Sequence, residues 1–258
     1  VAGALTDPQP GVRENALRLA ESFVPGSRAL QDRILSLAED ENARVRFQAA
    51  LTIGEIEHPR GLAALRKILL RDFSFRWSRL AVLSSLRPGN ESLFVSLLSE
   101  RDFWMELDDE KLKLVEEFAD LVGARPSSGE AGTLVNVLAA LAETRTEERV
   151  RVAALTGLAS GLARAAERPN PGAAATRALD KLSTGASPTL LAAAWRVSRR
   201  LGLPENDAQR TALGQAIQRA QDTARPANER CEDIRLFAFG GFATVKSALF
   251  SLLDGLPP

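Results

Sequence analysis

Residues 34–56 read ILSLAEDENARVRFQAALTIGEI, and the reading of the fold starts from how this stretch is punctuated. Ile34–Glu39 carries apolar residues at helical spacing, the polar run Asp40–Asn42 interrupts it, and Ala43–Ile56 resumes it. The pattern predicts a helix, a tight turn and a second helix. The second helix opens on Val45-Arg46, and that pair recurs. Asp7 stands five residues before Val12-Arg13 and Asp40 five before Val45-Arg46. Asp72 stands five before Trp77, where Ser78 takes the arginine's place. Val150-Arg151 makes a fourth copy, with Arg145 in the Asp position. An alanine follows each anchor by four residues: Ala16, Ala49, Ala81 and Ala154. The first three anchors are 33 and 32 residues apart. Periods of roughly 20–50 residues mark arrays whose units bury their apolar faces only against neighbours.

The spacing has a physical reading. The Asp lies where a first helix ends and is placed to accept hydrogen bonds from the free N–H groups that open the second. The apolar residue five positions on points between helices. The alanine one turn later allows close helix approach. Arg13, Arg46 and Arg151 then read as struts to carboxylates or carbonyls of the neighbouring unit.

DPQPGVRENALRLAE and DENARVRFQAALTIGEI resemble HEAT repeats of the short bacterial, PBS-lyase-like type. The resemblance implies a right-handed α-α superhelix, a HEAT/armadillo-like solenoid of about seven helix pairs. The order of units also resembles the HEAT segment of planctomycete and verrucomicrobial membrane-bound dehydrogenase-like proteins. It is carried by Leu5–Glu21, Arg44–Arg60, Trp77–Leu86 and Cys231–Leu253. It implies a scaffold between a dehydrogenase-like β-propeller and a c-type cytochrome domain, in a periplasmic or membrane-associated setting. The middle of the chain, Arg101 to Ser187, fits the pattern poorly.

Composition agrees with an all-α chain. Apolar residues make up 45% of 258, with three Trp and no Tyr, and Ala, Leu, Arg and Glu favour helix. The 33 basic residues balance 33 acidic ones; nucleic-acid binders usually show a basic excess, so no nucleic-acid partner is expected, although a local stripe stays possible. Cys231 and His58 are each the sole residue of their kind, which excludes a disulfide within the chain and a His/Cys metal site. Cys231 reads as a semi-buried helical thiol and His58 as a loop residue. No apolar run reaches the roughly 20 residues that span a bilayer.

Two parts are expected along one continuous solenoid. Residues 1–123 hold the regular repeats and 124–258 the divergent ones, with ARPSSGEAG (Ala124–Gly132) as the joint between them. Helices are read at Pro10–Val24, Arg28–Glu39, Ala43–Ile56, Gly61–Arg71, Phe75–Leu86, Ser92–Glu100 and Glu110–Val122. The later ones fall at Thr133–Glu143, Glu147–Ala166, Ala173–Leu182, Pro188–Leu201, Ala208–Asp222, Cys231–Phe239 and Ala243–Leu253. The chain opens and closes on what read as helix ends, so a fragment of a longer protein is expected.

Catalytic chemistry finds little support. No serine has a His and acid to complete a triad. Asp108-Asp109-Glu110 reads as a cap at a helix start, where negative charge is favoured. Gly240-Gly241 lacks the strand and spacing of a phosphate-binding loop and reads as a helix break. The expected role is therefore a non-catalytic scaffold or protein-interaction module with no cofactor in this segment. The alternative is a HEAT-fold enzyme, bilin-lyase-like or DNA-glycosylase-like, with its site on the concave face. Arg44, Phe47, Arg76, Trp77 and Arg79 are the candidates for a protein-binding face on the second helices. Phe47 is equally readable as core, whereas Trp77 reads first as core, and Trp104 and Trp195 read as packing residues.

Overall fold

A computed structural model describes residues 1–56, 59–87, 92–125, 137–142, 147–166 and 172–253. Among them every regular element is helical. The chain divides into two compact units, Val1–Phe118 and Ala119–Pro258, each a stack of helices of the solenoid class.

In the first unit, α1 (Pro10–Ala20) begins with Pro at its first position, where a missing N–H costs nothing. It tightens into a 3-10 turn, Glu21–Gly26, containing Pro25. The helix therefore ends four residues short of the expected Val24. Ser27 caps α2 (Arg28–Ser36) by accepting from the Leu30 N–H at 3.3 Å, and a 3-10 turn, Leu37–Glu39, brings the chain to Asp40. Asn42, rather than the expected Asp40, caps α3 (Ala43–Ile53), its side chain accepting from the Arg44 N–H at 2.9 Å. Asp40 instead accepts from the Asn42 N–H within the turn. Next come α4 (Pro59–Asp72) and α5 (Arg76–Ser84), then α6 (Ser92–Leu98) and the short α7 (Arg101–Trp104). Asp108 caps α8 (Asp109–Ala124) through the Lys111 N–H at 2.7 Å, and the division between units falls inside this helix.

Packing makes two layers. The second helices α1, α3 and α5 pack in sequence, and α2 and α4 pack behind them. Leu17, Ile34, Val45, Ile53, Ile68 and Val82 fill the space between. Ala16, Ala49 and Ala81 are buried, as close helix approach requires. Trp104 is buried and donates its indole N–H to the Leu97 carbonyl at 2.9 Å.

The second unit holds the end of α8 and α9 (residues 137–142). It continues with α10 (Glu148–Arg164), α11 (Gly172–Ser183), α12 (Pro188–Leu201), α13 (Asp207–Gln221), α14 (Ala227–Arg235) and α15 (Phe242–Leu253). α10 packs on α12, α11 on α12 and α13 on α14. A Cβ on Gly161 would sit 2.1 Å from the Asp120 carbonyl oxygen, so only glycine allows α10 to lie this close to the end of α8. Asn206 and Gln209 form a capping box at the start of α13. Gly240 breaks the chain before α15, and a Cβ there would meet Leu213 and Val245 at 2.7 and 2.8 Å. The helix expected to begin at Cys231 begins at Ala227, because Pro226 starts a turn whose carbonyl accepts from the Arg230 N–H. Cys231 is exposed on it, not semi-buried.

Several expectations lie outside the described residues: His58, Arg145, the start of the helix expected at Thr133, the end of the chain from Asp254, and all of the joint beyond Arg125.

Candidate interaction surfaces

The arginines of the repeat form a series of struts. Arg13 donates to both Asp40 oxygens at 2.7 and 2.8 Å and to the carbonyls of Asp7 and Pro8. Arg46 does the same one unit on, reaching both Asp72 oxygens at 2.7 and 2.5 Å and the carbonyls of Asp40 and Glu41. Each guanidinium thus ties the turn before its own helix to the carboxylate of the next unit. Burial alone would raise the Asp40 carboxyl, but hydrogen bonds from Arg13 and the Asn42 N–H hold it below its ordinary range.

Arg79 is the third strut, which corrects its place among the exposed candidates. It is 1% exposed. It donates to Glu117 at 2.8 Å, Glu110 at 2.7 Å and the Phe73 carbonyl at 2.6 Å. Arginines 13, 46 and 79 are therefore 33 residues apart in both steps. The register read from Asp72 is one residue short, since an extra residue separates Asp72 from the arginine it precedes. In the corrected register Ser78, which is buried, takes the valine slot, and Trp77 takes the slot of Arg44.

That shift explains where the other candidates lie. Trp77 is 67% exposed rather than core, and the Arg76 guanidinium sits 5.3 Å from its ring centre. The Arg44 side chain is 81% exposed and reaches Glu14 at 3.0 Å. Phe47 is half-buried. Arg44 and Trp77 thus hold equivalent positions on consecutive second helices, exposed and one repeat apart.

Beside them runs a polar network with no forewarning in the repeat motif. Arg18 donates to Glu14 at 2.8 Å and to Gln48 at 3.0 Å, and Glu21 accepts from Gln48 and Thr52 at 3.1 and 3.0 Å. Its signal was helical spacing: Glu14 and Arg18 share one face of α1, which Glu21 continues at the start of the 3-10 turn, and Arg44, Gln48 and Thr52 share one face of α3. The acidic cluster also has a second use. Lys113 first, then Arg79, holds the Glu110 carboxyl below its ordinary range, while Lys111 lies 5.1 Å from the Phe103 ring.

In the second unit, Trp195 is 4% exposed and packs edge-on against Phe239 at 5.6 Å. Among the described residues its indole N–H has no hydrogen-bond partner. A cavity of about 150 Å³ lies beside it, bounded by Leu203, Leu213, Glu205 and Gln209. A wider groove of about 790 Å³ runs along α10 and α12. Asp233, on α14, is fully buried and held by Arg219 at 2.7 Å and Arg225 at 2.8 Å.

Stacked helix pairs tied by inter-unit arginines define a helical-repeat protein. Residues 1–87, about a third of the chain, match the family model of HEAT repeats. No curated protein matches the chain. Among the described residues no helix is long and apolar enough to cross a membrane.

Proposed function

We propose that this chain is a non-catalytic HEAT-type scaffold that engages a protein partner along the second helices of its first unit. The observation that carries the reading is Trp77, exposed with Arg76 against its ring and in register with exposed Arg44. An exposed tryptophan beside arginines is the composition of interface hot spots. A buried arginine ladder supports it by holding the helices that present those residues. The finer reading, taken from the sequence resemblance, is a spacer between a dehydrogenase-like propeller and a cytochrome domain of one larger redox protein. Such a spacer fixes docking geometry and supplies no ligand of its own.

Two measurements test these readings. The reading frame around the coding segment should contain a propeller-like stretch before it and a CxxCH motif after it; neither being present sinks the spacer reading. A photo-crosslinking residue at position 77 of the full-length protein should capture a neighbouring domain or partner, with one at position 19 as the comparison. Crosslinks from position 19 alone would move the surface away from Trp77.

A further inference from the structure

The chain carries no net charge, yet the charge is not spread evenly. From Arg149 to Arg200 there are nine basic residues and two acidic ones, Glu167 and Asp180. Part of that excess converges on the groove of the second unit. Ala159, Ser160 and Ala163 occupy one face of α10, spaced by three and four residues, and they line the groove. Arg196, Arg199 and Arg200 line it from α12 with the same spacing, which puts all three guanidinium groups on one helix face. No Asp or Glu is among the described residues that line it.

The arginines are not equivalent. Arg164, at the end of α10, is already paired with Asp120. Arg199 is fixed, donating to the carbonyls of Ala238 and Phe239 at 2.9 and 2.6 Å with its guanidinium 5.0 Å from the Phe239 ring centre. Among the described residues no carboxylate lies at ion-pair distance from it, although Glu205 borders the neighbouring cavity with it. Arg196 and Arg200 are exposed, and among the described residues neither has a carboxylate at ion-pair distance. The groove therefore presents a held positive charge flanked by two more, above a floor of small side chains that admits a chain to close range.

We infer that this groove is a docking site for an acidic peptide segment of a partner protein, its carboxylates paired with Arg196, Arg199 and Arg200. Guanidinium groups bind carboxylates and phosphates alike, so the choice of occupant comes from the surroundings. A single-stranded nucleic acid needs aromatic faces on which bases stack. Here Trp195 is buried, and Phe239, the one aromatic among the described residues that line the groove, is half-buried with Arg199 over its ring, so the groove lacks the row of open aromatic faces that successive bases need. Arg196, Arg199 and Arg200, with Arg164 already paired to Asp120, likewise make too short a basic track for a phosphate backbone. A short acidic segment needs neither. This inference concerns the second unit only and stands or falls apart from the Trp77 surface.

The test is fluorescence anisotropy with a labelled heptapeptide of six glutamates and a central leucine, titrated with the full chain. Saturable binding that weakens with added salt is expected. Arg196→Glu with Arg200→Glu should weaken it about tenfold or more, since two attractive exposed pairs become repulsive. Arg210→Glu, an exposed change on α13, should leave it unchanged. If circular dichroism shows the double variant unfolded, the single change Arg200→Gln is read instead and should weaken binding about threefold. Equal peptide binding by wild type and folded variant overturns the inference, as does no binding at low salt. A ten-residue oligothymidylate that binds as tightly as the peptide overturns it in favour of nucleic acid.

Discussion

Arg46→Ala would leave Asp72, which is 2% exposed, as a buried carboxylate without its bidentate partner. Removing one member of a buried pair costs about 3–5 kcal/mol, so urea unfolding should show a loss of that order. Arg44→Ala, two residues away, removes an exposed guanidinium whose buried partner Glu14 keeps its bond from Arg18, and should change stability by less than about 0.5 kcal/mol. Equal losses would mean that the strut assignment is wrong. Acid acts on the same ladder. The Asp40 carboxyl is depressed in the folded state, so its stabilisation is complete above the ordinary carboxylate range, near pH ~4. It fades as the pH falls through the lower folded value. Asp40→Asn should flatten that part of the acid unfolding profile; an unchanged profile would show that the Arg13–Asp40 pair does not drive it. At this scale the sequence was informative for Arg13 and Arg46 and misleading for Arg79. A one-residue insertion after Asp72 moved the arginine out of the counted slot, and only the shared carbonyl contact restores the register.

Between elements, the small residues decide how near the helices lie. Ala49 is fully buried where α3 packs between α1 and α5. Ala49→Trp should destabilise the array by several kcal/mol through overpacking, about 1–3 or more, measured by thermal unfolding. No change in the transition would place the seam elsewhere. Ala16 and Ala49 were legible because they recur with the motif, whereas in the corrected register buried Val82 takes that slot in the third copy and Ala81 precedes it. Gly123 and Gly161 were not, since they fall between Arg101 and Ser187, where the repeat pattern fits poorly, and their role appears only when α8 and α10 are brought together. The caps were partly legible: Asp108 caps α8 as expected, whereas the cap of α3 is Asn42 because Asp40 is drawn toward Arg13.

For the molecule as a whole, a repeat stack is stabilised mainly by contacts between near neighbours. A lesion in one compact unit should then be felt chiefly within it. Gly161→Ala would place a Cβ 2.1 and 2.6 Å from backbone atoms of Asp120 and Ala124, and the helices must part to admit it. Hydrogen exchange followed by mass spectrometry should show faster exchange across α10 and α12, with α1 to α5 little changed. Equal loss of protection in both units would show that they unfold as one.

The repeat period, the all-helical class and the ladder arginines at 13 and 46 were set by the sequence itself. They depend on local spacing, and a helix turns spacing directly into a face. The tertiary structure decided which of the remaining side chains face solvent. Trp77 and Arg79 are two residues apart in one helix, and their fates are opposite: one is exposed beside Arg76, the other buried among Glu110, Glu117 and a backbone carbonyl. That outcome depends on carboxylates over thirty residues away. The convergence of α10 and α12 into a basic groove has the same origin. Charge along a chain is visible in its sequence, whereas charge around a groove depends on which helices pack together.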